Sequence, residues 1–290
     1  MRVILFLFSF VFFSCIFKSE VQNPSNNFLW KLSKDDQYIW IMGSIHMADS
    51  SFYPLALPIQ NAFHESQVIA FEIDLNEEQS VENPTSYFFQ NEEDLESFLA
   101  PKTYQILDSI LSSWALSIQT YSKLRPWAVA AQISALAISR AGFQAELGID
   151  YVLMEKALEE GKEIIGLETS ASQIEALSSP SDSAGVLYLE KTLLEIQEIE
   201  ETLQEIKIAW QTGSTLKLLK LLNLEDSQEK ADLFSQKIYF ERNRTMAHKI
   251  QNLFLENKRH FVVVGIAHLI GEEGSILEIL KENGFRVEAF

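Results

Sequence analysis

Two short segments carry the residues best suited to chemistry. Gly43-Ser44-Ile45-His46 and Gly265-Ile266-Ala267-His268 are both Gly-x-x-His, and each directly follows an apolar run. A glycine at a strand end lets the backbone turn sharply or approach a ligand closely. The histidine then projects over the sheet edge, where open α/β sheets bind their ligands. Imidazole is a neutral metal ligand and titrates near neutrality. Carboxylates arrive in the same way: Glu72 and Asp74 end one apolar run and Glu168 ends another. Two histidines with one or two acids and an open position suit a hydrolytic divalent metal. Such an ion acidifies a bound water and polarises a carbonyl, or one carboxylate serves as general base. A buried Glu72 is costly unless paired, and Arg125 and Arg242 are its candidate partners. His64, His248 and His260 lack a strand-end context and read as surface or structural residues.

The elements that must position these groups follow from hydrophobic patterning. Residues 28–32 and 37–42 are apolar runs around Ser33-Lys34-Asp35-Asp36, the signature of a hairpin. Residues 68–74, 163–168 and 260–264 read as buried strands, and 285–290 as a last strand. Pro58 opens a helix over 59–65, and residues 76–91 read as a polar loop. Helical patterning fills 92–145, with Asn91-x-x-Asp94 as a cap and a break at Pro126, and resumes over 151–160, with Gly161 as the stop. A long helix is predicted over 187–210, where Leu189, Leu193, Ile196, Ile199, Leu203, Ile206 and Trp210 form an apolar stripe. The stripe reads as core-facing, with a coiled-coil seam or dimer face as the alternative. Further helices are predicted over 232–256 and 275–281. The expected fold is mixed α/β: a central, largely parallel sheet with strands from both chain ends and a helical middle insertion at roughly 92–145.

Composition narrows the function classes. The 290 residues allow one large domain or two small ones, and 47% hydrophobic content is enough for a sizeable core. A formal net charge of −18 argues against nucleic acid, which needs a basic footprint, and against charge docking on an anionic membrane. A single cysteine, Cys15, rules out an internal disulfide and a cysteine-based zinc cluster. Residues 3–13 form an apolar run too short to span a bilayer but of signal-peptide length. It ends at Phe13-Ser14-Cys15, a loose match to a bacterial lipoprotein cleavage site. Residues 1–14 therefore read as a signal peptide and 15–27 as a tether, with Cys15 carrying lipid; a plain signal peptide or an uncleaved anchor is the alternative. The expected place is the cell envelope, periplasmic or outer surface, with membrane contact only through that end.

The ordered motifs resemble those of the TraB/GumN family. They begin with Phe28-Leu29-Trp30-Lys31, Gly43-Ser44-Ile45-His46 and Phe52-Tyr53-Pro54-Leu55. Phe71-Glu72-Ile73-Asp74, Arg125-Pro126-Trp127, Gly148-Ile149-Asp150, Gly166-Leu167-Glu168-Thr169 and Glu241-Arg242-Asn243 come next, and Gly265-Ile266-Ala267-His268-Leu269 with Gly271 and Gly274 closes the set. The resemblance implies a mixed α/β fold with both Gly-x-x-His motifs at one site. The family includes the Tiki proteins, metal-dependent proteases using manganese or cobalt, and a plasmid-encoded protein that shuts down peptide pheromone. By that similarity His46 and His268 are metal ligands, Glu72 is a ligand or base, and Glu168 and Arg242 are neighbouring site residues. The implied cofactor is a divalent metal, Mn, Co or Zn, and the implied substrate a peptide or protein. A relative of this fold binds haem, so the alternative is a haem- or peptide-binding envelope lipoprotein without catalysis. Oligomeric state is not specified by these motifs.

Overall fold

The computed structural model describes residues 27–74, 84–89, 92–178, 181–222, 224, 236–271 and 273–290. The signal peptide, Cys15 and most of the tether lie outside the described residues, as does much of the loop at 76–91.

Six strands form one sheet: β1 (Leu29–Lys34), β2 (Gln37–Ser44), β3 (Val68–Phe71), β4 (Glu163–Gly166), β5 (His260–Gly265) and β6 (Arg286–Ala289), in the order β4-β3-β5-β2-β1-β6. β1 and β2 make the expected hairpin, and Asp35 turns it at φ 53°, a conformation aspartate tolerates. β2, β5, β3 and β4 run parallel to one another; β1 is reversed and pairs antiparallel with both β2 and β6. All residues of β3 and β5 are buried, as continuous apolar runs covered on both faces must be. Register then decides the function of the rim. Ser44 lies beside Gly265, and Phe71 lies beside both Val263 and Gly166. The carboxyl ends of four parallel strands thus finish together, and the segment after each strand is delivered to one place.

The helices include α1 (Leu57–Glu65), α2 (Leu95–Phe98), α3 (Pro101–Ser113), α4 (Pro126–Arg140), α5 (Ile149–Glu159), α6 (Ser170–Ser178), α7 (Asp182–Glu195), α8 (Ile199–Gln211), α9 (Thr215–Leu221), α10 (Arg242–Leu253), α11 (Ile266–Leu269) and α12 (Ile276–Glu282). Asp94 caps α2 by accepting Ser97 N–H, and proline occupies the first turn of α1, α3 and α4, where its missing donor costs nothing. Among the described residues no helix is long and apolar enough to cross a membrane.

The middle of the chain is helical, but its helices continue beyond 145 to Leu221, with β4 inserted among them. These helices serve two separate apolar clusters. One is built on the sheet. The other joins Leu95, Leu107, Leu111, Trp127, Ile133, Leu189 and Leu193 away from it. This division corrects the long helix expected over 187–210, which is two helices, α7 and α8, separated by a 3-10 turn at Ile196–Glu198. Leu189 and Leu193 belong to the helical cluster, whereas Leu203, Ile206 and Trp210 belong to the sheet cluster. The two halves of the stripe thus pack on different cores, with the 3-10 turn between them. The helix expected over 232–256 is present from Gln236, where the described residues resume: a π-helical turn, Gln236–Glu241, runs directly into α10.

Candidate metal and hydrolase site

The site is built at the shared carboxyl rim. His46 lies two residues past β2, Glu72 directly follows β3, Glu168 follows β4, and His268 sits in α11, the short turn after β5. Arg242 opens α10. The structure brings these five predicted residues together.

Glu72 is the hub. Its Oε1 is 3.7 Å from His46 Nε2 and 3.9 Å from His268 Nε2, and it accepts the Gly265 N–H at 2.6 Å. Its Oε2 accepts Arg242 Nη2 at 2.8 Å and Gln173 Nε2 at 3.1 Å. Glu168 Oε2 accepts Arg242 Nε and Nη2 at 2.9 and 2.7 Å and Gln173 Nε2 at 3.2 Å. Arg242 therefore joins two buried carboxylates, which satisfies charges that would be expensive alone. Of the two candidate arginine partners of Glu72, Arg242 fills the role. Arg125 instead pairs with Asp182 at 2.7 Å, and its neighbour Trp127 is a buried plug at the start of α4.

The glycines of the two motifs interlock. A Cβ on Gly265 would stand 2.9 Å from His46 Nε2 and 3.1 Å from Glu72 Oε1. A Cβ on Gly43 would meet the Ile266 side chain of the second motif at 2.3 Å. Each motif thus leaves room for a side chain of the other. Gly265 has φ −52°, an ordinary value, so the glycine is required there for space and not for a sharp turn.

Three residues complete the surroundings of the imidazoles. Asp150 Oδ1 lies 3.1 Å from His46 Nδ1, and Asn243 Oδ1 lies 2.6 Å from His268 Nδ1. The Tyr239 ring, on the π-helical turn, is inclined against His268 at 5.6 Å between centroids. Asp150 and Asn243 belong to the Gly148-Ile149-Asp150 and Glu241-Arg242-Asn243 motifs, but nothing in their spacing shows that they back the two histidines. Gln173 has no sequence signal at all. Of the other histidines, His64 is exposed, His248 faces solvent, and His260 is buried at the opposite end of β5.

The electrostatics differ between the two rings. Burial opposes a charge on His46, but Asp150 and then Glu72 outweigh it and raise the ring from 6.5 to about 9. Burial dominates at His268, and with Arg242 nearby it lowers that ring to about 3 despite Glu72. Burial also works against a charge on Glu72, yet the imidazoles, Arg242 and the Gly265 N–H hold it well below the usual carboxylate range.

Among the described residues, no three His, Cys, Asp or Glu side chains stand at closed metal-ligand spacing. The donor set nevertheless fits a cation. Two Nε2 atoms face one carboxylate oxygen from under 4 Å. Asp150 Oδ1 is buried 3.1 Å from the His46 ring, in the first turn of α5. Glu72 and Glu168 share the Arg242 guanidinium and Asp150 lies against His46, so three carboxylates and one guanidinium leave two net negative charges when both rings are neutral.

A sequence model of the TraB/PrgY/gumN family matches residues 28–289. The chain is 25% identical over 272 residues to the uncharacterized protein YbaP of Escherichia coli (strain K12), covering 87% of this chain and 97% of that protein. The uncharacterized protein YbaP of Shigella flexneri matches with the same identity and coverage. No solved structure matches the chain. Because the family match spans the whole sheet and every residue of the rim, the chain belongs to the TraB/PrgY/gumN family.

Proposed function

We propose that this protein is a divalent-metal-dependent hydrolase acting on peptides, with His46, His268 and Glu72 as the residues that would hold the ion. The observation that carries this reading is the approach of both imidazole Nε2 atoms to the same oxygen of Glu72. A bound divalent ion would supply an acidified water and a polarised carbonyl. The protein's own groups prepare the place. Arg242 and the Gly265 N–H keep Glu72 ionised. Glu168 holds the guanidinium through two bonds to one oxygen, so we assign it to fixing Arg242. Without an ion, a proton on His46 covers part of the negative charge, and that proton must leave for the ring to bind a cation.

The haem alternative has less room. His268 is 4% exposed and its Nε2 meets a carboxylate, a poor setting for the face of a porphyrin. The apolar leader ending at Cys15 also supports export to the envelope with lipid on that cysteine; a mature N-terminus at Cys15 carrying acyl mass would test that.

Elemental analysis and titration of the purified soluble part with Mn2+, Co2+ and Zn2+ test the main proposal. His46→Ala and His268→Ala should fold and lose at least the ~10–100-fold in metal affinity that removing even an outer partner of a ligand costs. A peptide library should be cleaved by the wild type and left intact by both variants. No uptake of any of the three ions, with an intact library, would overturn the proposal.

A further inference from the structure

A neutral imidazole carries its proton on one nitrogen, and only the bare nitrogen can bind an ion. Which nitrogen of His268 is bare is set by a chain of contacts that begins on α12. Ser275 caps that helix by accepting the Glu278 N–H, and Glu278 Oε2 in turn accepts the Gly274 N–H at 2.7 Å. The Gly274 carbonyl accepts Asn243 Nδ2 at 2.8 Å. A carbonyl can only accept, so the Asn243 amide must present its nitrogen to Gly274 and its oxygen to His268. That oxygen stands 2.6 Å from His268 Nδ1. An acceptor at that distance requires the proton on Nδ1. Both His268 and Asn243 are buried, so water offers no substitute partner.

We propose that Asn243, oriented by the Gly274 peptide and Glu278, is a positioning residue that keeps His268 as its Nδ1–H tautomer with the bare Nε2 facing Glu72. Its functional consequence rests on the reading of His268 as a metal ligand. The two rings are then backed in different ways. His46 Nδ1 faces the carboxylate of Asp150, which adds charge, whereas His268 Nδ1 faces an amide, which places the proton and adds none. In water a free imidazole favours the other tautomer, so the contact has a definite effect to exert.

Long-range 1H–15N spectra of the metal-stripped, 15N-histidine-labelled chain read the tautomer directly. The wild type should show His268 as Nδ1–H. Asn243→Leu should lose that form and bind Mn2+, Co2+ or Zn2+ ~10–100-fold more weakly. Should Asn243→Leu not fold, Glu278→Ala at a partly exposed position carries the test and should mix the two tautomers. An Nε2–H ring in the wild type, or a folded Asn243→Leu or Glu278→Ala with the tautomer unchanged, overturns the proposal. An Nδ1–H ring that shifts as described, in a protein that takes up none of the three ions, upholds the positioning and overturns the metal reading instead.

Discussion

Strand β5 has a histidine at its start and another just beyond its end. His260 is wholly buried and meets one carboxylate, Glu256, four residues before it, at 3.2 Å. Nearby charges pair in solvent, as Lys258 does with Glu163 at the start of β4. His268 is equally enclosed, but the carboxylate it meets comes from β3 and is shared with His46 and Arg242. The residue types at the two ends are the same. The difference is that His260 meets a carboxylate four residues away on its own segment, whereas His268 meets one that side chains from separate elements share around a single oxygen. A histidine and a glutamate do not make a site; a carboxylate held from several directions, with two imidazoles turned toward it, does.

The largest effect should come from removing the cation that the rim depends on. Arg242→Ala leaves Glu72 and Glu168 buried without their common partner and should cost about 3–5 kcal/mol in denaturant unfolding. Lys258→Ala at the other end should leave the midpoint unchanged, because solvent screens that pair. Equal stability of the two variants would erase the contrast.

His260→Ala should cost about 2–3 kcal/mol, the lower part of the range for large-to-small core changes. It should leave metal titration as in the wild type, whereas His268→Ala abolishes it. A folded His260→Ala that no longer takes up metal would make both ends of β5 functional.

Gly265→Ala sharpens the geometry of the rim. Its Cβ would arrive 2.9 Å from His46 Nε2, and overpacking of this kind costs about 1–3 kcal/mol. Metal affinity should fall with stability, as measured by calorimetry. Undiminished affinity would mean that the interlocked glycines do not set the spacing of the ligands.

The smallest effect is a pH dependence. The folded His46 value of about 9 lies above the unfolded 6.5, so its contribution to the metal-free protein is fully present below pH 6.5 and is lost as pH rises through about 9. Asp150→Asn removes the main cause, so its thermal midpoint should fall less than the wild type's across that window. Metal uptake near pH 8 should also release a proton in the wild type and less of one in Asp150→Asn. Identical pH profiles for the two proteins would separate Asp150 from the chemistry of His46.

Apolar runs bounded by turn residues were enough to place all six strands, because a buried strand needs a continuous hydrophobic segment and a hairpin needs residues such as Asp35. The same logic put His46, Glu72, Glu168 and His268 at strand ends, where side chains project from the sheet. The break between α7 and α8 escaped that logic. Its apolar stripe is continuous in sequence, and only the structure shows that its halves join two cores on either side of a 3-10 turn at Ile196–Glu198.

Sequence alone therefore determined which segments are strands and which polar residues come after them, since both are set by neighbours along the chain. Tertiary structure alone decided that Ser44 lies beside Gly265, that Arg242 and not Arg125 reaches Glu72, and that Asp150, Gln173 and Asn243 stand behind the site. Those choices depend on strand order and register, and no local pattern encodes the contact of one side chain with another far along the chain.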